Sequence, residues 1–133
     1  MVCINCGNET KVFNSRLNKK TNSVWRRRRC LSCSSSFTTK ERPNLSGSLI
    51  IEATDGSISQ FSRDKLYLSI FQCLEHNYDA VDKATTLTET VIGKLTSYIS
   101  FGYVSSSDIR HIVQVALSRY DNLASIKYQT ENN

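Results

Sequence analysis

Four cysteines near the start of the chain, Cys3, Cys6, Cys30 and Cys33, form two C-x-x-C pairs with 23 residues between them. Two intervening residues let the backbone fold back as a knuckle that points two thiolates at one atom. Two such knuckles brought together supply four sulfurs in a tetrahedron, the closed geometry of a structural zinc site. The competing chemistry is a pair of disulfides in a small secreted protein. The tandem pairing, the absence of a leader before Met1-Val2-Cys3 and the unpaired fifth cysteine, Cys73, argue for a reduced, intracellular metal site instead.

Immediately before the third ligand stand Arg26, Arg27, Arg28 and Arg29. Guanidinium groups fork onto phosphate oxygens and guanine edges. If the run is extended, successive side chains alternate between faces, so two arginines address a nucleic acid together. Arg16, Lys19 and Lys20 on the other arm could join them on phosphates, and Trp25 either supports the strand or stacks on a base. The bland alternatives are a solvated basic strand or a nuclear-localisation address. Residues 1–45 hold ten Lys/Arg against Glu9 and Glu41, a balance of +8, whereas residues 46–133 balance at −3. A basic head on a mildly acidic body points the head alone at a polyanion.

The body carries weaker signals. Asp55-Gly56 forms a turn, and Arg63 and Lys65 open a helix whose free N–H groups could receive a phosphate. The plainer alternative is an ordinary hairpin packed on an ordinary helix, with Arg63 and Lys65 in solvent. His76 and His111 are scattered and suit helix-surface or hydrogen-bonded histidines rather than metal ligands, Cys73 suits a small core residue, and Asp79 and Asp82 fall in a loop. No Cys/His or Ser/His/Asp set looks catalytic, and the sparse carboxylates do not suggest a metal-dependent nuclease.

The elements that must position these groups are short. Residues 11–14 and 23–26 read as strands joined by a turn over 17–22, and residues 37–39 as a third strand. So few apolar residues lie here that metal binding must supply most of the folding free energy. Residues 1–42 thus form one module and residues 43–48, holding the chain's only proline, a linker. Residues 49–133 begin with a hairpin, 49–52 and 57–61, around a two-residue turn. Ser62 caps a first helix reaching about Asn77, with Leu66, Ile70, Phe71 and Leu74 on one face. A second helix is expected over 87–100, with Thr86 and Glu89 as its capping box, Leu87, Val91, Leu95, Tyr98 and Ile99 as its stripe, and Gly102 as its end. A third starts after Ser105, which makes a capping box with Asp108, and carries Ile109, Ile112, Val113, Ala116, Leu117 and Tyr120 as its stripe. Residues 123–128 suit a short helix, and 129–133 a frayed end. No apolar run approaches the length that spans a bilayer.

With these pieces in view, the sequence resembles the NrdR-type transcriptional regulators of ribonucleotide reductase genes. The resemblance rests on Cys3-x-x-Cys6, Asn14-Ser15-Arg16, the arginine run, Cys30-x-x-Cys33, Phe37-Thr38-Thr39-x-Glu41, Asp55-Gly56 and Phe61-Ser62-Arg63-Asp64-Lys65-Leu66, and it covers nearly the whole chain. It implies an α+β protein: a small zinc ribbon of short antiparallel strands, then a mainly helical ATP-cone-like domain opened by a β-hairpin. It implies Zn²⁺ on Cys3, Cys6, Cys30 and Cys33, and promoter DNA on Arg16, Lys19, Lys20, Arg26, Arg27, Arg28 and Arg29. ATP or dATP as effector would bind around Ile51, Asp55, Gly56, Arg63 and Lys65. It further implies a cytoplasmic, nucleoid-associated repressor, not an enzyme, whose nucleotide-dependent homo-oligomerisation switches binding to palindromic boxes. Two departures stand out. Trp25 replaces an arginine of the family's run, and Ala53-Thr54 stand where it carries Lys-Arg before Asp-Gly. The latter motivates an alternative, a zinc-ribbon interaction module whose body binds no nucleotide.

Overall fold

The computed structural model describes residues 1–132. It divides into two compact units, Met1–Pro43 and Asn44 onward, the first all β and the second mainly helical.

In the first unit three antiparallel strands, β1 (Thr10–Asn18), β2 (Ser23–Cys30) and β3 (Ser36–Glu41), lie in the order β1-β2-β3. All three are longer than the expected segments. Leu17 pairs with Val24 and Asn18 with Ser23, so the expected turn shrinks to residues 19–22. Asn18 closes it by accepting from the N–H groups of Lys20 and Thr21, at 3.0 and 3.3 Å. Asn22 takes the left-handed conformation that asparagine tolerates. A bulge between Val12 and Asn14 puts an extra residue, Phe13, into β1. Only Cys3, Thr10, Cys30 and Phe37 are buried.

The second unit opens with a 3₁₀ turn, Leu45–Gly47, inside the stretch expected to be a linker. A three-stranded sheet follows, in the order β5-β4-β6: β4 (Ile50–Glu52), antiparallel β5 (Ile58–Gln60) and parallel β6 (Tyr103–Ser105). The β4–β5 connection is not a two-residue turn. Gly56 N–H donates to the Ala53 carbonyl and Ala53 N–H to that of Ser57, with Gly56 at φ +84°. That is the longer hairpin closed by a left-handed glycine. Around the sheet run α1 (Arg63–Leu74), α2 (Ala80–Leu95), α3 (Ser106–Tyr120) and α4 (Asn122–Glu131). Ser62 Oγ accepts from Lys65 N–H and Ser105 Oγ from Asp108 N–H, as the capping residues promised.

The second helix departs most from expectation. It begins at Ala80, not at 87, and stops at Leu95, leaving Tyr98 and Ile99 outside it. Asp79 is its N-cap residue and Asp82 lies in its first turn, so neither is in a loop. Thr86 makes no cap: its hydroxyl donates to the Asp82 carbonyl one turn back, as Thr85 and Thr90 do to Val81 and Thr86. The buried stripe is Ala80, Ala84, Thr88, Val91 and Leu95, small residues in the first half and larger apolar ones in the second. Gly102 ends no helix; with Phe101 it forms the tight turn from Ser100 to Tyr103, both at positive φ. α1 ends at Leu74, three residues short of the expected limit. α4 is longer than expected and takes in residues 129–131, which were expected to fray; Asn133 lies outside the described residues. The core gathers Leu49, Phe61, Ile70, Cys73, Leu74, Val91, Leu95, Val104, Val113 and Leu117 with their neighbours.

Candidate metal centre and nucleic-acid interface

The two C-x-x-C turns close on each other. The Sγ atoms of Cys3, Cys6, Cys30 and Cys33 all lie within 4.8 Å of one another. Cys3 and Cys33 Sγ are 3.7 Å apart, Cys6 and Cys30 Sγ 3.4 Å. A tetrahedron of ~2.3 Å Zn–S bonds has S···S edges of about 3.8 Å, so the four sulfurs fit that ion. None of the five cysteines is joined in a disulfide, and the four sulfurs are arranged as a metal cluster rather than as two bonded pairs.

The surrounding groups favour thiolates at Cys3 and Cys33. At Cys30 the N–H groups that point at it are outweighed by burial and by the neighbouring Cys6 and Cys33 sulfurs, which push the thiol up to about 11. Ser35 Oγ lies 3.2 Å from Cys3 Sγ and 3.0 Å from Cys33 Sγ. Asn5 donates its backbone N–H to Cys3 and its amide to Cys33, Asn8 its amide to Cys6, and the N–H groups of Ser32 and Cys33 point at Cys30 Sγ. The Ser35 hydroxyl, with Asn5 helping, brings the Cys33 thiol down to about 5, and the same hydroxyl lowers Cys3. Sequence reasoning missed Ser35 and Asn5; a polar residue within two positions of each knuckle was the available signal. The knuckles share one more feature. The residue after each second cysteine, Gly7 and Ser34, is left-handed, at φ +76° and +61°.

β2 carries the arginines between its neighbours and ends on Cys30, so the metal site anchors the run directly. The four do not share one environment. Arg26 Nη1 pairs with Glu41. Arg27 Nη1 donates to Thr38 Oγ1 at 3.0 Å. Arg28 Nε is buried with no hydrogen-bond partner among the described residues. Arg29 lies over the Phe13 ring, 5.0 Å from its centroid. Arg16, Lys19 and Lys20 line a shallow concavity of about 520 Å³ with Trp25, at the turn end of the sheet.

In the body the expected nucleotide residues are dispersed. Ile51 sits half-buried in the central strand between Ser59 and Val104. Asp55 accepts from the Ser57 N–H and hydroxyl at 2.9 and 2.6 Å, which holds its carboxyl below the ordinary range. With Gly56 it lies in the turn beyond Glu52, whereas α1 begins beyond the Ile50 end of the sheet. Arg63 forks through Nε and Nη2 onto Glu89 of α2, the Nε contact being 3.0 Å. Lys65 is exposed in the first turn of α1. His76 is a hydrogen-bonded histidine: its Nε2 lies 2.8 Å from Asp121, which also accepts from Asn77 and from Ala124 N–H as the N-cap of α4. Among the described residues no helix is long and apolar enough to cross a membrane.

A four-thiol ribbon with an arginine-rich central strand, followed by a small α+β domain, defines a zinc-ribbon class of protein. Comparison with known proteins makes it specific. Residues 1–41 match the zinc-ribbon family described as transcriptional repressor NrdR-like, N-terminal domain. The chain is 36% identical to a transcriptional repressor NrdR of Halomicrobium mukohataei over 129 residues, covering 96% of this chain and 78% of that protein. It is 33% identical to the NrdR of Bordetella pertussis (96% and 79% covered) and 30% to that of Lactobacillus gasseri (96% and 82%). The chain belongs to the NrdR family of transcriptional repressors.

Proposed function

We propose that this protein represses ribonucleotide reductase operons from the cytoplasm. Zinc held by Cys3, Cys6, Cys30 and Cys33 fixes the ribbon, and the ribbon's cations hold promoter DNA. The observation that carries the reading is that β2 holds four arginines and ends on a metal ligand. One ribbon covers few base pairs, so useful affinity needs several ribbons at fixed spacing. The body supplies that array by self-association. ATP or dATP, bound around Ile51, Asp55, Gly56, Arg63 and Lys65, sets which assembly forms and thereby controls DNA occupancy through its differential affinity. The chain then acts as a regulator rather than a catalyst. Solution mass measured on apo, ATP-loaded and dATP-loaded protein, followed by a gel shift on duplex from upstream of such an operon, tests this. A nucleotide-dependent change in mass that tracks DNA binding is expected; binding indifferent to both nucleotides would remove the switch.

A second reading, a body that binds no nucleotide, is favoured by two observations. Ala53 and Thr54 offer no cation, and Arg63 is already held by Glu89. Calorimetric titration separates the two readings: no heat with either nucleotide selects the second.

A further inference from the structure

Strand register sorts the ribbon's cations onto two unlike faces. Residues opposite each other across strands share a face, and neighbours along a strand do not. Arg29 stands opposite Lys11, Arg27 opposite Asn14 and Thr38, and Trp25 between Arg16 and Lys40. One face therefore carries Lys11, Arg16, Arg27, Arg29 and Lys40 around Trp25. It holds no carboxylate, since the only acid of the three strands, Glu41, stands opposite Val24 on the other face. That other face sets Arg28 between Val12 and Phe37, and Arg26 between Ser15 and Thr39.

The environments of the arginines agree with this sorting. On the first face Lys11, Arg16, Arg29 and Lys40 are exposed. Arg29 is steadied on Phe13, and Arg27 spends one of its five N–H donors on Thr38. On the second face Arg26 is neutralised by Glu41, and Phe37 is buried. We propose that the ribbon meets duplex DNA through the first face alone, with Lys11, Lys40 and Trp25 as contacts in addition to Arg16, Arg27 and Arg29, while Arg26 and Arg28 serve the ribbon itself. This rests on the DNA-binding reading above and names its surface. Four residues of strand and three strands across span roughly 13 by 10 Å, a footprint that suits the ~12 Å major groove. Trp25 sits among these cations, between Arg16 and Lys40. Its indole offers an apolar plate for sugar or thymine methyl and an N–H for phosphate.

The chain's single tryptophan makes the face directly observable. The experiment titrates full-length, zinc-loaded protein with a duplex from upstream of a ribonucleotide reductase operon. It follows Trp25 emission and a parallel gel shift, at salt from about 50 to about 200 mM. Lys11→Gln/Lys40→Gln and Arg26→Gln are compared with the parent protein, with zinc content confirming that each ribbon is formed. Emission from Trp25 is expected to be quenched in step with binding. The lysine pair should flatten the salt dependence by about two for each ribbon engaged, and should weaken binding more than Arg26→Gln does. Binding by gel shift with unchanged Trp25 emission, or a larger loss from Arg26→Gln than from the lysine pair, overturns the assignment of the face. Tighter binding to the single strand than to the duplex overturns it as well. Absence of any shift by the parent protein overturns the DNA-binding reading itself.

Discussion

The ribbon and the body solve the same problem, holding a short chain in one shape, with opposite means. Among the ribbon's described residues only Phe37, Cys3 and Cys30 are buried apolar groups, and two of those are sulfurs of the metal cluster. The body buries an apolar cluster around Ile70, Leu74, Leu95 and Leu117, each without exposed surface. About forty residues with so little to bury need a metal or a disulfide to fold, whereas some ninety residues with a continuous core do not. The difference has a functional side. A ribbon freed from building a core can leave every position of β1 except Thr10 exposed and line its strands with cations, which a packed domain of that size could not.

The largest expected effect breaks this comparison at its strongest point. Replacing Cys30 with Ala, or chelating the metal, removes an interaction worth on the order of 10 kcal/mol, more than so small a unit has in reserve. Trp25 emission should move to that of an unfolded segment and DNA binding should vanish. Helical circular dichroism from α1 to α4 should remain, because the body's core contains no ribbon residue. Loss of the helical signal together with the metal would show that the two supports are not separate. The reverse cut comes next. Leu74→Ala empties a fully buried site and is expected to cost 2–5 kcal/mol, roughly, in urea unfolding followed at 222 nm. Zinc content should stay unchanged.

The same contrast explains what could be read from sequence. Ligand spacing is a local code, and the four cysteines meet where the two C-x-x-C pairs implied. Caps are local too, and Ser62 and Ser105 hold the N–H groups three residues on. The start of α2 was hidden because 82–90 is rich in Asp, Thr and Glu, a composition that reads as a boundary. Its threonine hydroxyls instead turn back onto the helix's own carbonyls, and the first half of its buried face is Ala80, Ala84 and Thr88, which carry little hydrophobic signal. β6 escaped notice because three residues pair in parallel with a strand some fifty positions earlier, which no window along the chain reveals. The faces of the arginine strand needed the bulge at Phe13, which shifts the register between Val12 and Asn14 and decides which β1 residues share a face with Arg27 and Arg29.

A smaller effect sharpens the comparison from the body's side. Asp121 caps α4 and draws His76 and Asn77 onto the same carboxylate. Asp121→Ala should lower stability by about 1 kcal/mol near neutral pH. The Asn77 amide, the Ala124 N–H and His76 bring the Asp121 carboxyl down to about 2. A depressed folded value means that its stabilisation is present above the ordinary carboxylate range, near pH 4, and is lost as pH falls through about 2. Urea midpoints of the parent and the variant should therefore converge as pH is lowered through that window; a constant gap would remove the carboxylate from the explanation.

The smallest expected effect lies in the ribbon and tests how completely the metal governs it. Ser34 holds in the second knuckle the left-handed position that Gly7 holds in the first. An L-residue there carries a penalty of roughly 1 kcal/mol, and glycine gives back about half of any relief through the freer unfolded chain. Ser34→Gly should thus tighten zinc by about 0.5 kcal/mol, a two- to three-fold change in chelator competition. Gly7→Ser should loosen it by a similar amount, since open space surrounds that position and only the backbone resists. If the two knuckles are equivalent halves of one clamp, the two substitutions cancel when combined. A double variant far weaker than the parent would mean that the first knuckle, closed by Gly7 N–H onto the Cys3 carbonyl at 2.9 Å, carries more of the ribbon than the second.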